Sequence, residues 1–133
     1  MMTNVSVERE GSHFRLKLSQ PQRALIYSVL ELLSTRDSDL VVSIQVGCDR
    51  SDLNVLRDRL TSQSAEVFST LELHVIHAAL TVAWNQFTSE EAFYTRIGFF
   101  KEHAIAVAAG LVRAIQHQND VMEESTTDTE TPR

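Results

Sequence analysis

Polar and apolar residues alternate through the first eighteen positions of the chain. The apolar positions are Val5, Val7, Phe14, Leu16 and Leu18. A period of two is typical of strands that bury one face. The turn-forming residues Glu10, Gly11 and Ser12 separate the two runs, so the pattern predicts an N-terminal β-hairpin.

A helical period follows and begins with a capping box. Ser19 precedes Gln22 by three residues, the spacing at which each side chain satisfies the other residue's backbone N–H. Pro21 fits the first turn, where its missing N–H costs little. The apolar residues as far as Ser34 share one face: Leu25, Ile26, Val29, Leu30, Leu32 and Leu33. These features predict a helix over about 19–34.

Alternation returns at Leu40, Val42, Ile44 and Val46. The β-branched content of this segment favours a third strand. A strand–helix–strand order would allow it to lie parallel to one hairpin strand through a right-handed crossover. We therefore expect a mixed three-stranded sheet.

The rest of the chain predicts helices. The N-cap residues of 49–52 introduce a short helix that buries Leu53, Leu56 and Leu60, and a long helix spans about 65–87. A second capping box, Thr88 with Glu91, opens a short helix that stops at Gly98. The last helix covers about 99–118.

Beyond residue 118 no apolar period remains, and 119–133 is expected to be a disordered acidic tail. The prediction is one α+β domain over 1–118 in the order ββαβαααα. A hairpin and a third strand form a small sheet, packed by about five helices.

Charge and composition exclude several function classes. Of the formal charge of −6, the segment 119–133 carries −4 (five acids and one base), which leaves −2 for the other 118 residues. A domain so close to neutral lacks the basic surface of a nucleic-acid binder. The single cysteine, Cys48, cannot form an intramolecular disulfide. No signal-peptide or membrane-span pattern occurs, so we expect a cytoplasmic protein without membrane contact.

Glu72 is the most conspicuous polar residue. In a helix over 65–87 it falls between Phe68 and Ile76, on an apolar face. A carboxylate there must be paired, hydrogen-bonded or protonated. Arg96, among the aromatic residues of the next helix, is the expected partner. The pair has two interpretations: a structural ion pair, or a site carboxylate with a raised pKa.

Two further sets of residues could carry chemistry, but neither is specific. His74 and His77 have a spacing that could share a metal. His103 and His117 are possible third ligands only if the last helix packs that way, so neither a metal nor a cofactor is expected. Cys48 lies in a strand-to-helix turn beside Asp49, which would raise the pKa of a thiol and favours a spectator role.

Aromatic and small residues also cluster. Six of the nine aromatic residues lie within seventeen positions: Trp84, Phe87, Phe93, Tyr94, Phe99 and Phe100. They form either a hydrophobic hub or a partly exposed patch for a ligand or partner. Ala106, Gly110 and Ala114 recur every four residues, which favours close helix packing within the fold or a homodimer interface.

No catalytic motif is present, so an enzyme is the less favoured class. The leading hypothesis is a small non-enzymatic protein-interaction module, such as an adaptor, an inhibitor or an immunity-type protein. The alternative is an enzyme or small-ligand-binding domain with a pocket around Glu72, Tyr94 and Arg96. Trp84 and Phe100 complete the candidate ligand or partner contacts.

Overall fold

The computed structural model of the chain describes residues 5–36, 38–61 and 67–130, with side chains described as far as residue 118. Within this part, the elements in chain order are β1 (Ser6–Glu10), β2 (His13–Lys17), α1 (Gln20–Arg36), α2 (Asp39–Val46), α3 (Arg50–Arg59), β3 (Val67–Ser69), α4 (Thr70–Asn85), α5 (Glu90–Ile97) and α6 (Lys101–Glu130). The predicted α+β class is confirmed.

The three strands form one antiparallel sheet in the order β1-β2-β3. The predicted hairpin is present, and Gly11 has φ 63° at the first central position of its two-residue turn, which a type II′ turn gives to glycine. Leu16 pairs with Val7 and Phe14 with Phe68, and all four side chains are buried beneath the helices. The residues between them face solvent, as alternation predicts.

The third strand is not the segment that the sequence predicted. Residues 39–46 form helix α2, so the strand expected over 40–46 is wrong. Ser38 caps the helix by accepting a hydrogen bond from the Val41 N–H at 3.3 Å. Gly47 ends it in the left-handed region, at φ 84°. Val42 and Val46, one helical turn apart, are buried. Two caps and one buried face outweigh β propensity here.

The actual third strand, β3, lies two helices later in the chain than expected. It pairs with β2 in antiparallel fashion, so the expected parallel crossover and mixed sheet are also wrong. The strand is only three residues long, and Phe68 is its buried residue. The predicted start of the long helix near Ala65 is therefore too early, because α4 begins at Thr70.

Helices α1 and α4 form the centre of the core and pack against each other. The capping box predicted for α1 is confirmed: the Ser19 N–H donates to Gln22 Oε1 at 2.8 Å, and the Gln22 N–H donates to Ser19 Oγ at 3.3 Å. Gln22 is itself buried, so this cap satisfies polar groups that water cannot reach. Helix α3 also packs against α1 and buries the three predicted leucines, Leu53, Leu56 and Leu60.

The last two helices cover the remaining side of the core. Helix α5 is capped by Ser89, one residue later than predicted, and ends at Gly98 in the left-handed region, as predicted. Helix α6 packs on α4 and β1 and continues past the predicted end at Gln118. The side chains of 119–130, and residues 131–133 altogether, lie outside the described part of the chain, so the disordered tail stays a prediction. No helix in the described ranges has both the length and the apolar content to cross a membrane.

Candidate functional site

Glu72 lies in the first turn of α4, where it completes a capping box. Its carboxylate accepts a hydrogen bond from the Ser69 N–H at 2.8 Å, and its own N–H donates to Ser69 Oγ at 3.1 Å. The same carboxylate forms an ion pair with Arg59 from the end of α3. The predicted partner was wrong: Arg96 is exposed in the last turn of α5. Glu72 therefore has a structural role that needs no ligand.

Arg59 joins three elements around this carboxylate. Besides Glu72, its guanidinium donates to the Val67 carbonyl oxygen and lies over the Phe68 ring, 4.7 Å from the ring centroid. The Arg59 and Glu72 side chains are 30% and 31% exposed, so water screens part of the attraction. Burial by itself would raise the pKa of Glu72. The hydrogen bonds from the Ser69 backbone and from Arg59, with the charge of Arg59, outweigh it and hold that pKa below its usual range.

A cleft of about 370 Å³ lies beside this network, between α3, the start of α4 and the first residue of β2. Its lining residues are His13, Cys48, Asp52, Val55, Leu56, Ser69, Leu71, Glu72 and Val75. We call it the Cys48 cleft. None of the predicted aromatic site residues, nor Arg96, contributes to it. The pocket imagined around Glu72, Tyr94 and Arg96 therefore does not coincide with the cleft that borders Glu72.

Cys48 is half-buried in this cleft and is poorly placed to be a nucleophile. Burial raises the pKa of its thiol, and the nearby carboxylates of Asp52 and Asp49 raise it further. A thiol is reactive only as the thiolate, so these surroundings suppress its reactivity. The spectator role of Cys48 stays a prediction.

The two histidines of α4 belong to no metal-binding cluster of described side chains. His74 is exposed and His77 half-buried, and the His74 ring lies beside the end of α2, where a Cβ on Gly47 would be 3.9 Å from it. In the ranges that the structure describes, no three His, Cys, Asp or Glu side chains converge closely enough to hold a metal ion.

The aromatic residues divide between core and surface. Phe93 is fully buried and packs edge-on against Phe87, with ring centroids 5.6 Å apart. Tyr94 and Phe100 are exposed and stack on each other at 4.7 Å. Trp84 is half-buried against the core. Part of the cluster is therefore a hydrophobic hub, Tyr94 and Phe100 are exposed, and their contact with a ligand or partner stays a prediction.

Two of the three small residues of α6, Gly110 and Ala114, lie beside β1. Gly110 is buried, while Ala106 and Ala114 are half-buried. Farther along α6, Gln118 Oε1 accepts a hydrogen bond from the Arg9 N–H at 3.3 Å, which covers part of the open edge of β1. Gly110 and Ala114 also line a cavity of about 480 Å³ between α6 and β1. A homodimer through these three residues stays a prediction.

The feature that sequence reasoning missed is the outer face of α2. Leu40 is 71% exposed, Ile44 76% and Val41 39%. We call these three residues the α2 face. They escaped notice because the expected strand would have buried Leu40 and Ile44 together with Val42 and Val46. The available signal was the pair of helix-capping residues, Ser38 and Gly47, at the two ends of the segment.

Comparisons with protein-family models, with curated proteins and with solved structures found no match for this chain.

Proposed function

We propose that the protein is a non-enzymatic protein-interaction module that contacts its partner through the α2 face. The observation that supports this most directly is the exposure of Leu40 and Ile44, which lie one turn apart on the same side of an eight-residue helix. Single exposed aliphatic residues are ordinary on protein surfaces. Three on one short helix form a patch, and such patches are typical of interaction sites.

The position of α2 makes this patch suitable for binding. Val42 and Val46 anchor the helix, which packs against α4, and a cap fixes each end. The exposed side chains are therefore held on a rigid helix, which lowers the conformational entropy lost when a partner binds. An amphipathic helix of a partner could lie along this face and cover it.

The enzyme or ligand-binding alternative loses its polar anchor. It depended on a carboxylate at Glu72 that was available to a substrate, together with Arg96 and Tyr94. Glu72 instead completes a helix cap and an ion pair with Arg59.

Photo-crosslinking in the native host tests the proposal directly. Ile44 is replaced by the photoreactive residue p-benzoylphenylalanine, and a matched protein carries it at Ile105, an exposed isoleucine of α6. We expect irradiation to give a defined crosslinked product from position 44 and none from position 105. A product of twice the chain mass would identify a second copy as the partner.

Substitution provides the complementary experiment. The double variant Leu40→Ser with Ile44→Ser should lose the partner, whereas the control Ile105→Ser with Val112→Ser should keep it. All four residues are exposed aliphatics on helices, so each change should alter stability by only about 0.5 kcal/mol. Equal retention of the partner by both double variants, or equal crosslinking from both positions, would refute the α2 face as the binding surface.

A further inference from the structure

We infer that the Cys48 cleft accepts a partner segment that places one lysine or arginine beside a large aliphatic side chain. This inference deepens the proposed function and rests on it, because the ligand is part of a protein. The turn that ends α2 leads directly into the cleft, since Gly47 is the C-cap of α2 and Cys48 lines the cleft wall. The cleft can thus be contacted by the same partner that covers the α2 face.

The apolar part of the cleft fits an aliphatic side chain. Val55 on α3 and Leu71 on α4 flank the opening and are 58% and 59% exposed. Leu56 and Val75 are buried and form the inner surface. An aliphatic group inserted between these walls would cover two exposed side chains and reach a preformed apolar surface.

The charge of the cleft selects a cation. Asp52 lines it and Asp49 lies next to Cys48, and both carboxylates act on the Cys48 thiol. Glu72 also lines the cleft, but its charge is neutralised by Arg59. Within the described residues, no cation contacts the Asp52 carboxylate. The N-terminus of α3 offsets about half a charge, which leaves the cleft negative.

The negative charge of the Cys48 cleft favours a partner segment, rather than the chain's own acidic tail, as its occupant. Residues 119–133 carry five acids and one base, so the two aspartates would repel them. A basic and aliphatic segment satisfies both properties of the cleft at once. The aliphatic chain of lysine or arginine can also lie along apolar surface while its charged end reaches a carboxylate.

Cys48 is the only cysteine of the chain, so it reports on the cleft without a partner being known. Two methanethiosulfonate reagents of similar size and opposite charge, trimethylammonium-ethyl and sulfonato-ethyl, are reacted with it, and 2-mercaptoethanol gives the reference rates. Both reagents react with the same thiolate. The rate of the cationic reagent divided by that of the anionic reagent is therefore independent of the thiol pKa. We expect this ratio to exceed the reference by about fivefold at low salt.

Two substitutions separate local from overall charge. Asp52→Asn should lower the ratio by about threefold, because the carboxylate lines the cleft. Asp58→Asn removes the same charge from the same helix, outside the cleft, and should leave the ratio nearly unchanged. A ratio equal to the reference, or an equal response to both substitutions, would overturn the inference.

Binding itself is measured by fluorescence anisotropy with two twelve-residue labelled peptides, one of repeated leucine and arginine and one with glutamate for arginine. We expect binding of the first alone, and its loss when Cys48 carries a bulky maleimide. Equal binding of both peptides, binding of neither, or binding that survives the label would overturn the inference. The variant Leu40→Ser with Ile44→Ser is measured in parallel. This variant should leave the rate ratio at Cys48 unchanged. It therefore tests the α2 face separately from the cleft.

Discussion

Replacing Glu72 by alanine should destabilise the protein by about 2 kcal/mol. The substitution removes the hydrogen bond from the Ser69 N–H, one half of the capping box, which is worth about 0.5–1 kcal/mol. It also removes the charge-assisted bond from Arg59, for which about 1 kcal/mol is reasonable because both side chains are roughly one-third exposed. For a chain of 133 residues this corresponds to a fall in Tm of about 7 °C.

The reasoning is checked by urea unfolding of a double-mutant cycle. Glu72→Ala, Arg59→Met and the double variant should give a coupling energy of about 1 kcal/mol, since the two side chains are in contact. Arg96→Ala is the matched control, because that arginine is exposed and outside the network. It should change the free energy of unfolding by less than about 0.5 kcal/mol.

Three results would refute this account of Glu72. Additive effects of Glu72→Ala and Arg59→Met would show that the two residues do not stabilise one another. A coupling between Glu72 and Arg96 as large as that with Arg59 would show that the original pairing was correct. A destabilisation below about 0.5 kcal/mol for Glu72→Ala would mean that neither the cap nor the ion pair contributes appreciably.

Three further predictions concern pH, helix caps and thiol chemistry. Because the pKa of Glu72 is lowered in the folded state, the unfolded state binds more protons in acid, and stability should fall as the pH drops below about 4.3. Glu72→Gln should show less of this loss in urea unfolding at pH 7 and pH 3.5, and identical losses would contradict the assignment. Ser38→Ala and Gly47→Ala should each cost about 1 kcal/mol in the same assay, because one removes the N-cap and the other strains the left-handed C-cap. Iodoacetamide should alkylate Cys48 more slowly than free cysteine at pH 7.5, since its pKa is raised, and an equal rate would contradict this.

Much of the fold is predictable from local patterns. The hairpin, the α1 capping box, the burial of Leu53 and the stop at Gly98 all follow from signals within a few residues of one another. Turn chemistry and capping act locally, so a short window contains the information. The position of β3 has no such signal. Three residues are too few for a period, and only pairing with β2 makes them a strand.

Glu72 was misplaced because the helix was expected to begin too early. With a start near Ala65, Glu72 falls in the second turn and on an apolar face. With the observed start at Thr70, it is the third helical residue and pairs with the Ser69 cap. The Ser-x-x-Glu spacing was present in the sequence, so this cap could have been found. Arg59 could not, because the end of α3 and the start of α4 come together only in the folded chain.

The strand predicted over residues 40–46 conceals the candidate site, the α2 face. Four apolar residues at alternate positions, 40 to 46, satisfy a strand that buries one face, and every one of them would then be needed for the core. A helix over the same residues turns Val42 and Val46 inward and leaves Leu40 and Ile44 outside. The segment is therefore more apolar than its place in the fold requires. Folding alone does not account for the apolar character of Leu40 and Ile44, whereas the proposed contact with a partner would. This is why the α2 face, rather than any polar cluster, supports the proposed function best.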